Sequence, residues 1–250
     1  MSNHTFDIAK EGYVNFALGK SDSGDSAEMC ASRKSFLSKG YYAPFANLIN
    51  DTLKKYCPDL KLLADAGCGE GYYLRNIRQE FPDAHLYGVD LAKNAVKLAA
   101  KSEKQSQGLK NMYSVCGIFS LPLNDGCADA VISVFAPVGA EENLRVLRSG
   151  GHMFVAGPGK RHLEGLKNAL YDVPYDNEEK VNQYDGFEFV GKETVSYSEK
   201  IAGEDIYDLF TMTPYYWKTK KSDSEKLRLL TSLETRLEFE VFVYRKEDRS

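Results

Sequence analysis

The residues best placed to do chemistry lie between Leu62 and Asp90. The run LLADAGCGEGYYL sets apolar residues ahead of Asp65, then spaces Gly67, Gly69 and Gly71, then begins an amphipathic stretch. Glycines let the chain turn sharply and let a ligand approach the backbone, and the helix that follows offers free N–H groups at its start. About twenty residues on, Asp90 closes the run HLYGVD, where a carboxylate can accept both hydroxyls of a ribose. Either aspartate alone could cap a helix or make a turn. Both at the carboxyl ends of strands, flanking a glycine loop, describe a nucleoside-binding site. A dinucleotide site is spaced G-x-G-x-x-G, whereas this loop reads G-C-G-E-G and sets Glu70 where a pyrophosphate would approach. A carboxylate there repels phosphate and tolerates the ammonium and sulfonium of S-adenosylmethionine. The spacing therefore predicts S-adenosylmethionine rather than NAD, held by Asp65, Gly67, Gly69, Glu70, Gly71 and Asp90.

The elements that must carry this loop follow from periodicity. Apolar residues recur at helical spacing over 26–39 and 43–55, so two helices form a lead-in to the first strand. Strands are predicted at 61–66, 84–89, 111–116, 128–135 and 151–156, alternating with helical stretches, which indicates a parallel sheet covered on both faces. After about residue 165 the pattern changes to a helix ending near 171, strands near 187–197 and 237–245, and helices at 204–211 and 223–233. The run LEFEVFVYRK alternates apolar and polar residues, as an antiparallel edge hairpin does. The expected architecture is a Rossmann-like α/β fold with a mostly parallel seven-stranded sheet and an antiparallel C-terminal edge. Residues 1–58 are read as an N-terminal segment and 59–250 as the cofactor-binding domain.

Composition narrows the class. With 250 residues, 43% of them hydrophobic, the chain can bury a core, and no run reaches the roughly eighteen apolar residues of a membrane span. The chain opens without a signal-peptide core, so it reads as cytoplasmic. Five scattered cysteines with no C-x-x-C pair suggest neither a disulfide framework nor a thiolate zinc site. A net charge of −4 argues weakly against a nucleic-acid partner, with only Lys160-Arg161 and residues 218–221 as basic clusters.

Taken together, HTFDIAKEGYVN at the start, GDSAEM at Gly24 to Met29, DAGCGEGYY at Asp65 to Tyr73, FAPVGAEE at Phe135 to Glu142, GPGKRHL at Gly157 to Leu163 and MTPYYW at Met212 to Trp217 carry a resemblance. The chain resembles the bacterial large-subunit ribosomal RNA guanine-N1 methyltransferases over nearly its whole length. The resemblance implies a class I methyltransferase fold, with Tyr42, Gly69, Glu70 and His162 at positions contacting the cofactor. The plainer readings are a core tyrosine at 42 and a capping or packing histidine at 162. Members of that family begin with a small zinc module of several cysteines followed by a histidine. His4 matches that histidine, but no cysteine precedes it, and a lone histidine cannot complete a four-coordinate site, so no zinc is expected.

Two explanations follow: the start has been trimmed, or evolution removed the module and the substrate changed. The negative charge favours the second, as do Val138 and Gly139 where a polar or basic pair is expected in an RNA enzyme. The expected activity is therefore small-molecule chemistry. Its leading form is cyclisation of S-adenosylmethionine to azetidine-2-carboxylate with loss of methylthioadenosine, because the azetidine-2-carboxylate synthases are similar to these rRNA enzymes without the zinc module. Tyr171, Tyr175, Asn143 and His162 are the candidates for positioning or proton removal, although Asn143 also suits a solvated helix face. The alternatives are methyl transfer to a small acceptor or to guanine N1 of 23S rRNA, the base stacking on Tyr171, Tyr175, Tyr215, Tyr216 or Trp217. A protein that binds the cofactor without turnover is the third.

Overall fold

The computed structural model describes residues 5–17, 25–104, 108–178 and 181–248. Its centre is β5 (Ala128–Val134), ADAVISV, every residue of which is buried. A strand flanked by neighbours on both edges and covered on both faces is mostly apolar, and its two polar residues are paired: Asp129 accepts the Lys61 and Leu62 N–H groups at 2.8 Å, and Ser133 donates to the Ala66 carbonyl at 3.2 Å. On one side of β5 lie β2 (Leu62–Ala66), β3 (His85–Asp90), β4 (Met112–Val115) and the short β1 (Tyr13–Asn15), all in parallel register. On the other side β6 (Leu147–Pro158) continues the parallel order, and β8 (Ser232–Lys246) and β7 (Phe187–Ala202) complete the sheet as an antiparallel pair with β7 outermost.

The sheet has eight strands where the sequence predicts seven. The additional one is β1, three residues whose pairing with Tyr113, Ser114 and Val115 is long-range and leaves no local signature. A second difference concerns 223–233. In place of one helix there is a single turn, α9 (Lys221–Glu225), and a 3-10 turn (Lys226–Leu229), after which β8 begins at Ser232. Leu227, Leu230 and Leu233 suit a helix. Leu233, Thr235, Leu237, Phe239, Val241 and Val243 bury one face of a strand at period two and pair with β7 along its length, and that pairing prevails.

The lead-in helices form as expected. Ser26 caps α1 (Ala27–Ser38) by accepting the Met29 N–H at 3.2 Å, and Glu28 in the first turn suits the helix dipole. Pro44 in the first turn of α2 (Ala43–Tyr56) is tolerated because that N–H has no helical partner. Phe45 on α2 stacks on Phe239 of β8 with centroids 4.1 Å apart and planes within 7°, both rings fully buried. Burying a phenylalanine contributes about 2–3 kcal/mol. The ring pair fixes α2 against the sheet and places Tyr42, the residue preceding α2, beside the carboxyl edge of the strands. The remaining helices are α3 (Tyr72–Glu80), α4 (Lys93–Glu103), α5 (Ala140–Val146), α6 (Glu164–Leu170), α7 (Gly203–Thr211) and α8 (Tyr215–Lys218). Among the described residues, no helix is long and apolar enough to cross a membrane.

Candidate functional site

The strand order reverses between β2 and β5, and the loops after these two strands meet. Gly67, at φ +98°, follows β2, and a Cβ on it would lie 2.5 Å from the Cβ of Ala136, which follows β5. The N–H groups of Gly67 and Cys68 both donate to the carbonyl of Val89 at 2.9 Å, tying the loop to the end of β3. Gly69, at φ +54°, is different: a Cβ there would face open space, with only the Arg33 guanidinium at 3.8 Å. Gly71 caps α3 at φ +81°, and a Cβ on it would come within 2.6 Å of the Tyr113 hydroxyl. Gly67 and Gly71 therefore shape the turn, and Gly69 leaves room for a ligand.

Three carboxylates surround this turn. Asp90 accepts the Gly69 N–H at 2.9 Å on Oδ2 and the Ala92 N–H at 2.7 Å on Oδ1. Burial raises its pKa, and these two bonds oppose the rise. A carboxylate offers about four lone-pair sites, so two remain for hydroxyl donors. Asp65 is 1% exposed and neither of its oxygens has a hydrogen-bond partner among the described residues; burial first, and the charge of Asp90 second, push its pKa up to about 8. Glu70 is also buried. Arg75 donates to its Oε2 and to its carbonyl oxygen, both at 2.6 Å, while Oε1 has no partner. The ion pair answers the charge expected to repel a pyrophosphate, so the Glu70 carboxylate does not by itself exclude one. Two buried, partnerless acceptor groups are the feature that fits a cationic ligand end, since leaving such groups unpaired is costly.

These loops open onto a cavity of about 1060 Å³ on the carboxyl edge of the sheet, lined by Gly67, Gly69, Glu70, Asp90, Tyr42 and His162 among others. Asp65 and Gly71 lie behind the wall. Leu91 and Ile118, beside Asp90, give an apolar surface for an adenine ring. On the opposite wall Tyr42 is buried with its hydroxyl 3.4 Å from His162 Nε2. The Glu238 N–H donates to His162 Nδ1 at 3.3 Å, which puts the imidazole proton on Nε2. Burial, then the charge of Lys167, lowers the His162 pKa to about 3. The ring is neutral near pH 7 and acts as a donor of fixed tautomer rather than a proton acceptor from substrate.

The remaining expected residues separate. Tyr175 lines the cavity and is half exposed, whereas Tyr171 stands outside it, its hydroxyl 3.1 Å from Thr219 Oγ1 and its ring packed on Tyr175 and Tyr215. Asn143 is not at the cavity and is not on a solvated face. It is fully buried in α5, with its amide nitrogen 3.3 Å from the Met153 sulfur. Tyr215 and Trp217 line the cavity; Tyr216 turns away to donate to Glu28 at 3.1 Å. His4 lies outside the described residues. Among those described, no group of three or more His, Cys, Asp or Glu side chains is arranged to hold a metal ion.

Sequence reasoning missed three residues of the wall. Phe119, 69% exposed, and Phe135, held at φ +53°, present rings to the cavity, and Arg33 reaches it from α1. A backbone in the left-handed region at a non-glycine residue marks strain, which concentrates at functional sites. Phe119 and Phe135 could have been found from position alone, since both follow strands at the edge that carries Gly69.

A profile of the methyltransferase domain family matches residues 59–214. A 23S rRNA (guanine(748)-N(1))-methyltransferase of Streptomyces fradiae is 34% identical over 175 residues, which span 68% of this chain and 60% of that protein. A relative in Micromonospora griseorubida, also named for guanine-N1 methylation of 23S rRNA, is 30% identical over 238 residues, covering 87% of this chain and 79% of its own. Among solved structures, the YcgJ protein of Bacillus subtilis superposes with a TM-score of 0.55 at 15% identity, covering 82% of this chain and 98% of that one, a likeness of fold. The chain belongs to the S-adenosylmethionine-dependent methyltransferase family, among the relatives named as 23S rRNA guanine-N1 methyltransferases.

Proposed function

We propose that this chain transfers a methyl group to a ring nitrogen of a planar base, with guanine N1 of 23S rRNA as the first candidate. The observation that carries the reading is the aromatic wall facing the glycine loop. Phe119, Phe135, Tyr175 and Trp217 all line the cavity and are between 48% and 69% exposed, more apolar ring surface than a protein leaves in a cleft without use. Flat rings stack on a flipped base, and such stacking contributes about 1–3 kcal/mol per base.

S-adenosylmethionine, when bound, supplies an electrophilic methyl group on a sulfonium and leaves as S-adenosylhomocysteine, while the N1 proton of the guanine passes to solvent. The protein's part is to hold and orient. Asp90 and Gly69 take the ribose side, Leu91 and Ile118 the adenine, and Glu70 at the wall, with Asp65 buried behind it, the ammonium end. Tyr42 and neutral His162 form a fixed polar pair on the opposite wall, beside Phe135. Lys218 at the cavity wall, with Lys220 and Lys221 just beyond it and exposed, offers contacts for backbone phosphates.

The relatives named for methylation of guanine N1 favour methyl transfer over ring closure within the cofactor, the activity first expected from the sequence. The cavity of about 1060 Å³, with its exposed rings away from the glycine loop, has room for an acceptor beside the cofactor. Incubating the purified protein with S-adenosylmethionine alone, and with unmodified 23S rRNA added, followed by mass spectrometry, separates the readings. N1-methylguanine formed only with RNA is the expected result. Methylthioadenosine with a four-membered-ring amino acid in the first tube would replace this reading by cyclisation, and methylation of a free purine but not of rRNA would move the acceptor to small molecules.

A further inference from the structure

The amino-acid end of S-adenosylmethionine carries a carboxylate as well as an ammonium. The glycine loop is surrounded by Asp65, Glu70 and Asp90, acceptor groups that suit the ammonium and the ribose and offer no cation to a carboxylate. Among the described residues lining the cavity, the Lys and Arg side chains are Arg33 and Lys218. Lys218 sits on α8 next to exposed Trp217, on the aromatic side. Arg75, the other guanidinium at the loop, is already held by Glu70 in two bonds of 2.6 Å.

Arg33 is placed differently. It rises from α1, is partly buried, and brings Nη1 to 3.8 Å from the point a Cβ on Gly69 would occupy. Its Nη1 donates to Asp25 and its Nη2 to the Met212 carbonyl at 3.3 Å, so the residue joins the entry to α1 with the end of α7 across the cavity mouth. A guanidinium has five N–H donors in a planar fork matched to a carboxylate, and these bonds use two of them.

We infer that Arg33 is the receptor for the cofactor carboxylate and that Asp25 competes with that carboxylate for the same guanidinium. The inference rests on the S-adenosylmethionine assignment and adds the residue that distinguishes the intact cofactor from products lacking its amino-acid end. It also gives Asp25 a role, as the internal carboxylate that the cofactor displaces.

The test is calorimetric and needs no turnover. Binding of S-adenosylmethionine and of its decarboxylated analogue is measured on the wild type, Arg33→Met and Asp25→Asn. Arg33→Met is expected to weaken S-adenosylmethionine about 30-fold, or ~2 kcal/mol, and to leave the decarboxylated analogue within about twofold. Equal losses for both ligands, or no loss for either, would overturn the assignment. Asp25→Asn keeps the question open to decision if the arginine variant does not fold. It is expected to tighten S-adenosylmethionine about threefold or more with no change for the analogue, and unchanged or weaker binding would overturn the competition. A wild type that binds neither ligand would instead remove the cofactor assignment beneath both.

Discussion

Replacing Asp65 by asparagine changes little in shape and removes one titration, which makes the environment of this residue measurable. The side chain is 1% exposed, has no hydrogen-bond partner on either oxygen among the described residues, and has a pKa raised from 3.8 to about 8 by burial and by Asp90. Between these values the native state holds a proton that the unfolded chain has released. Stability must then fall as pH rises, by about 1.4 kcal/mol per pH unit for one full proton. His162 works in the opposite sense, because its pKa is lowered to about 3 and the unfolded chain binds the extra proton up to about pH 6.5. The wild-type profile alone mixes the two, so the quantity to follow is the difference between Asp65→Asn and wild type. Urea unfolding should show that difference moving in favour of the variant by about 2.7 kcal/mol between about pH 5 and about pH 7. A difference that does not change with pH would mean that Asp65 is ionised and solvated in the native protein, and the argument that its orphaned oxygens await an ammonium group would fail. The same reasoning predicts that binding S-adenosylmethionine near pH 7 releases a proton, seen as a dependence of binding heat on the ionisation enthalpy of the buffer.

Four further outcomes follow from the geometry. Gly67→Ala should cost ~3 kcal/mol in unfolding free energy, since its Cβ meets Ala136 at 2.5 Å on a left-handed backbone, while Gly69→Ala, with open space, should cost ~1 kcal/mol; equal losses would contradict the distinct roles given to the two glycines. Trp217→Ala should raise KM for the acceptor about tenfold and leave the dissociation constant of S-adenosylmethionine unchanged, and loss of cofactor affinity instead would place Trp217 in the wrong half of the cavity. Lys167 is fully buried and donates to the Tyr175 carbonyl at 2.9 Å and to Asn177 Oδ1 at 3.2 Å, so Lys167→Met should speed amide exchange over 172–178 by more than tenfold; protection unchanged in that segment would show that Lys167 does not hold it. Removing the imidazole by His162→Asn should leave the acid limb of the rate profile between about pH 5 and about pH 7 where it was, because a group with a pKa of about 3 does not titrate there; a limb that moves would assign the titration to His162.

The loop from Asp65 to Gly71 and the carboxylate at Asp90 were legible because their function is local: an apolar strand, a turn only glycine can make, and an acid at the end of the next strand. Asn143 was misplaced because α5 is a short helix with acidic residues at its start, which suggests a solvated face. Only the packing of α5 against β6 shows that this position points at Met153. Arg33 had no signal. It stands among polar residues of α1, and its importance appears when α1 is set beside α7 and the glycine loop. Likewise β1 and the start of β8 are created by pairing partners far away in sequence, and local spacing cannot report a partner.

The same distinction explains why this sequence speaks clearly about the cofactor and less clearly about the acceptor. Open α/β sheets bind ligands where the strand order reverses, and here that point is the contact between the loops after β2 and β5. The glycine turn and the ribose acid are built into two short, contiguous segments, so that requirement is written in their residues, whereas Arg33 and Ile118 come from elsewhere in the chain. The acceptor side is assembled instead from Phe119 after β4, Phe135 after β5, Tyr175 in the segment anchored by Lys167, and Tyr215 and Trp217 on α8, five rings from four separate stretches of chain. No spacing rule links them, and Phe119 and Trp217, the most exposed of the five, have the least part in the core. The residues to exchange between relatives in order to move substrate choice are these rings and the segment that Lys167 holds, rather than the glycine loop.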